Sequence, residues 1–302
     1  MSIKRGREGS VDLESRSVFS SKLAQRVFLS AGFIPLVILV VRVKFGGALP
    51  FFAFTLALSV LCARELYGLF NTIFSLRSER WWVFCLPGSA LIILFYLNSF
   101  FMLSYLGILY IMGYTIVIAA GCCFFCCYRG GFLRSFRVAL LGYVYTGLLP
   151  LSMLWIRTSY GPLYVYFLFL LGWANDAGAY FVGTRFGRTR GIVRFSPSKS
   201  VEGYVAAFCV TVAAGVAFEL VLKERFIPGV WAAVSLGFII AICAPAGDIV
   251  ESMMKRKAGV KDSSGFLPGF GGVLDIFDSI LFASPVYSLV LFILQKFYRL
   301  TG

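Results

Sequence analysis

The chain has 302 residues, 59% of them hydrophobic and 14% charged, with 28 Lys and Arg against 14 Asp and Glu. A soluble domain carries about 25% charged residues, and even a domain of about 300 residues leaves a quarter of its chain surface in water, so this composition excludes a soluble globular protein and also a disordered one. The absence of histidine excludes His-based acid–base catalysis, His metal ligands, and Ser–His or Cys–His nucleophile pairs.

Residues 1–26 are polar and basic, rich in Ser, and read as a cytosolic tail. They are not a secretory signal, because the apolar run behind them leads to no small-residue cleavage site and soluble domain. Nine apolar stretches follow, at about 27–43, 48–70, 81–97, 102–127, 138–156, 161–183, 204–222, 229–252 and 275–296. Most approach the ~20 residues that a helix needs to cross a bilayer. They are continuous rather than alternating, which argues against a membrane barrel. The predicted fold is an all-α polytopic integral membrane protein of about nine transmembrane helices. Placing the N-terminus in the cytosol puts 20 Lys and Arg inside and 7 outside, with Arg64 in the second span. This positive-inside bias puts the C-terminus outside. It also accounts for the +14 net charge without nucleic acid, since such a charge attracts anionic lipid heads. Three regions are expected: the tail 1–26, N-terminal membrane helices 27–156, and a catalytic membrane region 157–302. The eight cysteines, four of them in the run CCFFCC at 122–127, form no disulfide or zinc pattern and read as small hydrophobic residues.

Charge within a span needs a reason. Glu65, Asp176, Asp248, Glu251, Asp275 and Asp278 all fall in or beside spans, toward the ends predicted to be cytosolic. For Glu65 beside Arg64, and for Glu251 at i,i+4 from Lys255, structural ion pairing is an equal alternative. Asp275 and Asp278, three apart, share a helix face. Asp248 follows Pro245 and Gly247, where a helix kink or break is expected. With no imidazole and with thiolates favouring softer metals, oxygen ligands suit a hard cation. Asp248, Asp275 and Asp278 are therefore the predicted ligands of Mg²⁺, and a second cation is an option.

Asp248, Ser252 and Lys255 occupy one helix face, leading into a basic, glycine-rich loop with Arg256, Lys261, Asp262 and GFLPGFGG. Such a backbone permits close approach to phosphate. Asp248, Ser252, Lys255, Arg256, Lys261 and Asp262 form the candidate catalytic set. A second loop, TRFGRTRGIVRFSPSKSVEG at 184–203, follows NDAGAYFVG. It lacks P-loop spacing, but with Asp176 it supplies Ser196, Lys199 and Ser200 as candidate nucleotide and phosphate contacts.

The string SMMKRKAGVKDSSGFLPGFGGVLDIFD at 252–278 resembles the signature of the CDP-diacylglycerol synthases, or phosphatidate cytidylyltransferases. Gly247-Asp248 and the segments NDAGAYFVG and SPSKSVEG also resemble that family, so the specific likeness covers 172–278. Phe270 stands where the family usually has His, and Ile276 where it has Arg. The resemblance implies an integral membrane enzyme that joins CTP and phosphatidic acid to give CDP-diacylglycerol and pyrophosphate with a divalent metal. A homodimer, membrane lipids as partners and a bacterial inner-membrane location with a cytosol-facing site go with that expectation. A CTP-dependent polyprenol or phytol kinase and a membrane transporter are the alternatives. The kinase would release CDP and need a general base. The transporter shares the intramembrane acids.

Overall fold

The computed structural model describes residues 32–75, 81–101, 132–222, 229–267, 269 and 271–301. Among these the fold is all-helical. α1 is Gly32–Arg42, α2 Leu49–Phe74, α3 Trp81–Phe101, α4 Phe132–Tyr143, α5 Leu149–Ser159, α6 Pro162–Phe186, α7 Val201–Leu222, α8 Val230–Lys257 and α9 Leu274–Thr301. A π-turn, Val144–Leu148, joins α4 to α5 without a break. Isolated bridges at Arg190–Ser200 and Leu267–Gly271 are the extended pairings among these residues.

Among the described residues six helical segments are long and apolar enough to cross a membrane: Leu49–Phe74, Phe136–Ser159, Pro162–Phe186, Val201–Leu222, Val230–Lys257 and Leu274–Phe297. Gly32–Arg42 and Cys85–Ser99 are shorter apolar helices. Large apolar side chains are exposed along the bundle, among them Phe181, Leu220, Trp231 and Ile242. Water would not tolerate that belt, but lipid does. Within hydrocarbon the helix satisfies every backbone polar group internally. Eight of the nine apolar stretches are thus helices in the structure. The ninth, 102–127, lies outside the described residues, as does the tail 1–26.

The prolines show where that internal satisfaction is interrupted. Pro150 has no N–H to give the Thr146 carbonyl four residues back. The Ser59 hydroxyl of α2 donates to that carbonyl instead. Pro285 likewise leaves the Leu281 carbonyl, which accepts from Ser284 Oγ at 2.9 Å. Of the kink or break expected at Pro245, a break is absent: α8 runs helical from Val230 to Lys257 with the proline inside it. It is packed along α7 and α9, and that support outweighs one missing ladder bond.

Small residues let the helices approach closely, as in other membrane bundles. A Cβ on Gly88 would lie 2.6 Å from Thr146 Oγ1 on the π-turn. A Cβ on Gly247 of α8 would lie 2.6 Å from the Asp278 carbonyl oxygen and 2.6 Å from Phe282 Cβ on α9. This second approach positions the site, because it sets Asp248 of α8 beside Asp278 of α9.

Candidate active site

Asp248, Glu251 and Asp278 each offer a carboxylate oxygen, and these oxygens lie within 4.8 Å of one another. Asp248 and Glu251 are one helical turn apart on α8, so they share a face, and the Gly247 contact brings Asp278 to meet them. Glu251 is 0% exposed and Asp278 8%. The Lys199 ammonium and the Ser252 hydroxyl, the latter at 3.2 Å, donate to Asp248. Lys255 Nζ donates to Glu251 at 2.7 Å and to Asp275 at 2.5 Å. Asp176, on α6, is close enough to interact electrostatically with Asp248, Asp278 and Lys199.

Five carboxylates therefore surround two ammonium groups. Such an excess of buried negative charge is repulsive unless a proton or a cation joins it. Glu251 Oε1 is buried with no hydrogen-bond partner, which leaves a free oxygen in the group of three. An all-oxygen donor set of this kind fits a hard divalent ion such as Mg²⁺. The buried hydroxyl of Tyr145 also has no partner, and Tyr145 interacts electrostatically with Glu251 and Asp278.

Beside the cluster, two acids organise the glycine-rich loop. Glu65 of α2, 6% exposed, accepts from Ser263 Oγ at 3.0 Å, Ser264 Oγ at 2.7 Å, Val273 N at 2.9 Å and Leu274 N at 2.8 Å. Asp275 accepts from Ser263 N at 2.8 Å, Ser263 Oγ at 2.8 Å and Gly272 N at 2.7 Å. Together they satisfy N–H groups at the start of α9 that no helical carbonyl can reach, and their charge suits the positive end of the helix. Gly271, at φ +93°, and Gly272 make this fit: a Cβ on Gly271 would lie 2.7 Å from Asp275 Oδ2, and one on Gly272 would collide with Ser263 Oγ and lie 2.5 Å from Glu65 Oε2. The Gly271 N–H goes to the Leu267 carbonyl at 3.0 Å. The N–H groups of residues 271–274 are thus taken up within the chain. At the end of the glycine-rich stretch, Gly271 and Gly272 thus shape a cradle for carboxylates of the chain itself.

The second loop, between α6 and α7, delivers Lys199. Turns closed by Ser196 N to the Val193 carbonyl and Lys199 N to the Ser196 carbonyl fold it back. Ser200 caps α7 by accepting from Gly203 N at 3.1 Å, the usual role of a serine at a helix start. Arg256 ties the two loops together through the Phe195 carbonyl at 3.4 Å and the Val260 carbonyl at 3.1 Å.

The family model of the cytidylyltransferases matches residues 24–294. The chain belongs to the cytidylyltransferase family. The phosphatidate cytidylyltransferase of Bacillus subtilis strain 168 is 37% identical over 127 residues, covering 42% of this chain and 46% of that protein. That of Staphylococcus aureus strain COL is 37% identical over 134 residues, covering 44% and 50%. That of Thermotoga maritima is 36% identical over 170 residues, covering 55% and 62%. The chain spans about half the length of these relatives.

In this member of the cytidylyltransferase family the structure brings together Asp176, Asp248, Ser252, Lys255, Asp278 and Lys199 from the sequence-derived set. Asp275 does not join the group of three; its carboxylate is occupied by the loop and Lys255, and Glu251 takes the third place. Ser200 is a helix cap and Arg256 a loop tie, while Ser196 lies in the turn that carries Lys199. Lys261 and Asp262 are exposed on the loop and enter no ion pair among the described residues. Phe270 lies outside the described residues, and Ile276 packs against the core. Tyr145 is absent from the sequence-derived set. Its distance in sequence from the motifs left no signal, since only the fold brings it within electrostatic range of Glu251 and Asp278.

Proposed function

We propose that the chain transfers the cytidylyl group of CTP to phosphatidic acid, releasing pyrophosphate and forming CDP-diacylglycerol. The observation that carries this reading is the buried group Asp248–Glu251–Asp278, flanked by Lys199 and Lys255, in a chain whose relatives bear the name phosphatidate cytidylyltransferase.

The reaction makes one P–O–P bond from a lipid phosphate oxygen to the α-phosphorus of CTP and breaks the α–β anhydride. A phosphate monoester carries about 1.5–2 negative charges at neutral pH, so the nucleophile needs no base, and a chain without histidine is equipped for it. The barrier is repulsion between two polyanions. Mg²⁺, held by Asp248, Glu251 and Asp278, would supply charge neutralisation of the triphosphate. Lys199 and Lys255 place ammonium charge beside the same point, and the Ser252 hydroxyl orients Asp248. Asp275 keeps Lys255 against Glu251, and Glu65 keeps the loop that holds Asp275. Full-length protein in detergent, given CTP, Mg²⁺ and phosphatidic acid, should release pyrophosphate and form CDP-diacylglycerol. CDP in place of pyrophosphate would overturn this reading in favour of a kinase.

Lys199→Ala should raise the KM for CTP about tenfold, the loss of one charge-assisted contact, and raise that for phosphatidic acid less. Equal CTP dependence in wild type and variant would remove Lys199 from the nucleotide site.

The proposed setting is a bacterial inner membrane, with nine crossings and the site at the cytosolic face. The Lys and Arg distribution of 20 inside to 7 outside supports it. So does the fold: Ser99 at the end of α3 and Arg157 at the end of α5 line one cavity, whereas Tyr145, twelve residues before Arg157, lies within electrostatic range of Glu251 and Asp278. The end of α3 and the start of α4 thus lie on opposite faces, as one further crossing between them requires. Single cysteines at positions 2 and 302 of a cysteine-free chain should label from opposite sides of sealed vesicles. Labelling from one side would exclude an odd number of crossings.

A further inference from the structure

At the end of the bundle away from the carboxylates lies a cavity of ≈ 350 Å³, lined by Lys44, Gly47, Ala48, Ser99, Arg157 and Thr158. It is separated from the Glu65 level by roughly 25 Å along α2, at 1.5 Å per residue. Its volume falls in the range of small-molecule sites, about 300–1,000 Å³.

The charge of this cavity is one-sided. Among the described residues no acid lines it, and neither Lys44 nor Arg157 enters an ion pair. Arg157 is 6% exposed. Its Nε donates to the Val41 carbonyl at 2.8 Å and its Nη2 to the Val43 carbonyl at 3.2 Å. These bonds hold the end of α1 and fix the guanidinium in place, but they do not neutralise it. A buried cation without a counter-charge is costly.

The backbone adds to the same sign. Gly46, Gly47 and Ala48 have φ of 55°, 64° and 78°, a left-handed run that turns the chain into α2. For Ala48 this conformation is unfavourable. Ala48 is the N-cap of α2, and no side chain caps that helix. Leu49 N donates to the Phe45 carbonyl at 3.0 Å and Pro50 has no N–H, so the α2 N-terminus adds only the partial positive charge of its helix dipole at the cavity wall. Two hydroxyl residues, Ser99 and Thr158, complete the lining.

We propose that this cavity binds a phosphate group, as the headgroup of an anionic phospholipid in the leaflet opposite the active site or as free phosphate. The positive lining gives the charge, the planar guanidinium suits phosphate oxygens, and the volume admits the alcohol that a lipid phosphate esterifies.

The test titrates the full-length chain in detergent with short-chain phosphatidylglycerol in one arm and inorganic phosphate in the other, with binding read by native mass spectrometry. The expected result is one saturable phosphatidylglycerol, with affinity lowered about tenfold by Lys44→Glu, the equivalent of one charge-assisted contact. Arg157→Gln should weaken binding further, but it also removes two carbonyl bonds and lowers stability, so Lys44→Glu, on an exposed side chain, carries the test by itself. Saturable inorganic phosphate with the same sensitivity to Lys44→Glu, and no saturable lipid, would assign free phosphate as the ligand. Binding of either probe that is unaltered by Lys44→Glu, or no saturable binding in both arms, would overturn the proposal.

Discussion

Asp278→Asn is expected to lower turnover roughly 10²–10³-fold, the scale found when a preorganised electrostatic group is removed from a reacting centre. The substitution keeps size and shape, so the Gly247 contact between α8 and α9 survives, but it removes one of the three converging charges. The half-saturating Mg²⁺ concentration should rise with it, and Glu251→Gln should behave alike, because Glu251 supplies the unpartnered oxygen Oε1. Asp275→Asn is the informative contrast. Its carboxylate faces Ser263, Gly272 and Lys255, so it should lower thermal stability and turnover while moving the Mg²⁺ midpoint less than Glu251→Gln does. Measuring turnover across a Mg²⁺ titration for the three variants decides between the two ligand sets. A larger midpoint shift for Asp275→Asn than for Glu251→Gln would restore Asp275 as the ligand and assign Glu251 to pairing with Lys255.

That contrast marks how far sequence reasoning reaches in this chain. Helix type and approximate extent were readable, because a run of apolar residues in lipid has few backbone solutions. The convergence of acids from α2, α6, α8 and α9 at one level followed from counting Lys and Arg. The choice between Asp275 and Glu251 did not follow. Asp275 and Asp278 share a face by spacing, yet helix starts draw carboxylates to their free N–H groups, and Asp275 sits in the first turn of α9. Glu251 at i,i+4 from Lys255 read equally well as a surface-type ion pair, and that pair does exist at 2.7 Å. What the spacing could not reveal is that burial leaves its second oxygen free beside Asp248 and Asp278. Similarly, Pro245 reads as a helix breaker in isolation, and only packing against two neighbours keeps α8 continuous.

Glu65→Ala should be the most disruptive single change outside the carboxylate group of three. Glu65 lies in α2, far in sequence from every motif; the sequence places it among the acids at the cytosolic span ends, but beside Arg64 it reads equally well as half of an ion pair. In the structure it receives two backbone N–H groups of the α9 start and two hydroxyls of the signature loop. Removing it leaves Val273 N and Leu274 N without their acceptor, and a buried donor left unmade costs about 1–3 kcal/mol. The effect should also reach the cluster. Ser263 bonds both Glu65 and Asp275, Asp275 bonds Lys255, and Lys255 bonds Glu251. Loosening the first member frees the rest to wander, so turnover should fall and the Mg²⁺ midpoint should rise even though Glu65 contacts none of the three converging carboxylates. Hydrogen exchange over residues 263–274 should accelerate by about tenfold or more in Glu65→Ala, for a local loss of at least about 1.4 kcal/mol, while exchange in α7 stays unchanged. Ser264→Ala, which removes one of the four bonds and leaves both N–H groups paired, should show a smaller effect in the same segment. Unaltered exchange over 263–274 in Glu65→Ala would show that the loop holds itself, and that α2 is a neighbour of the site rather than the support of its signature loop.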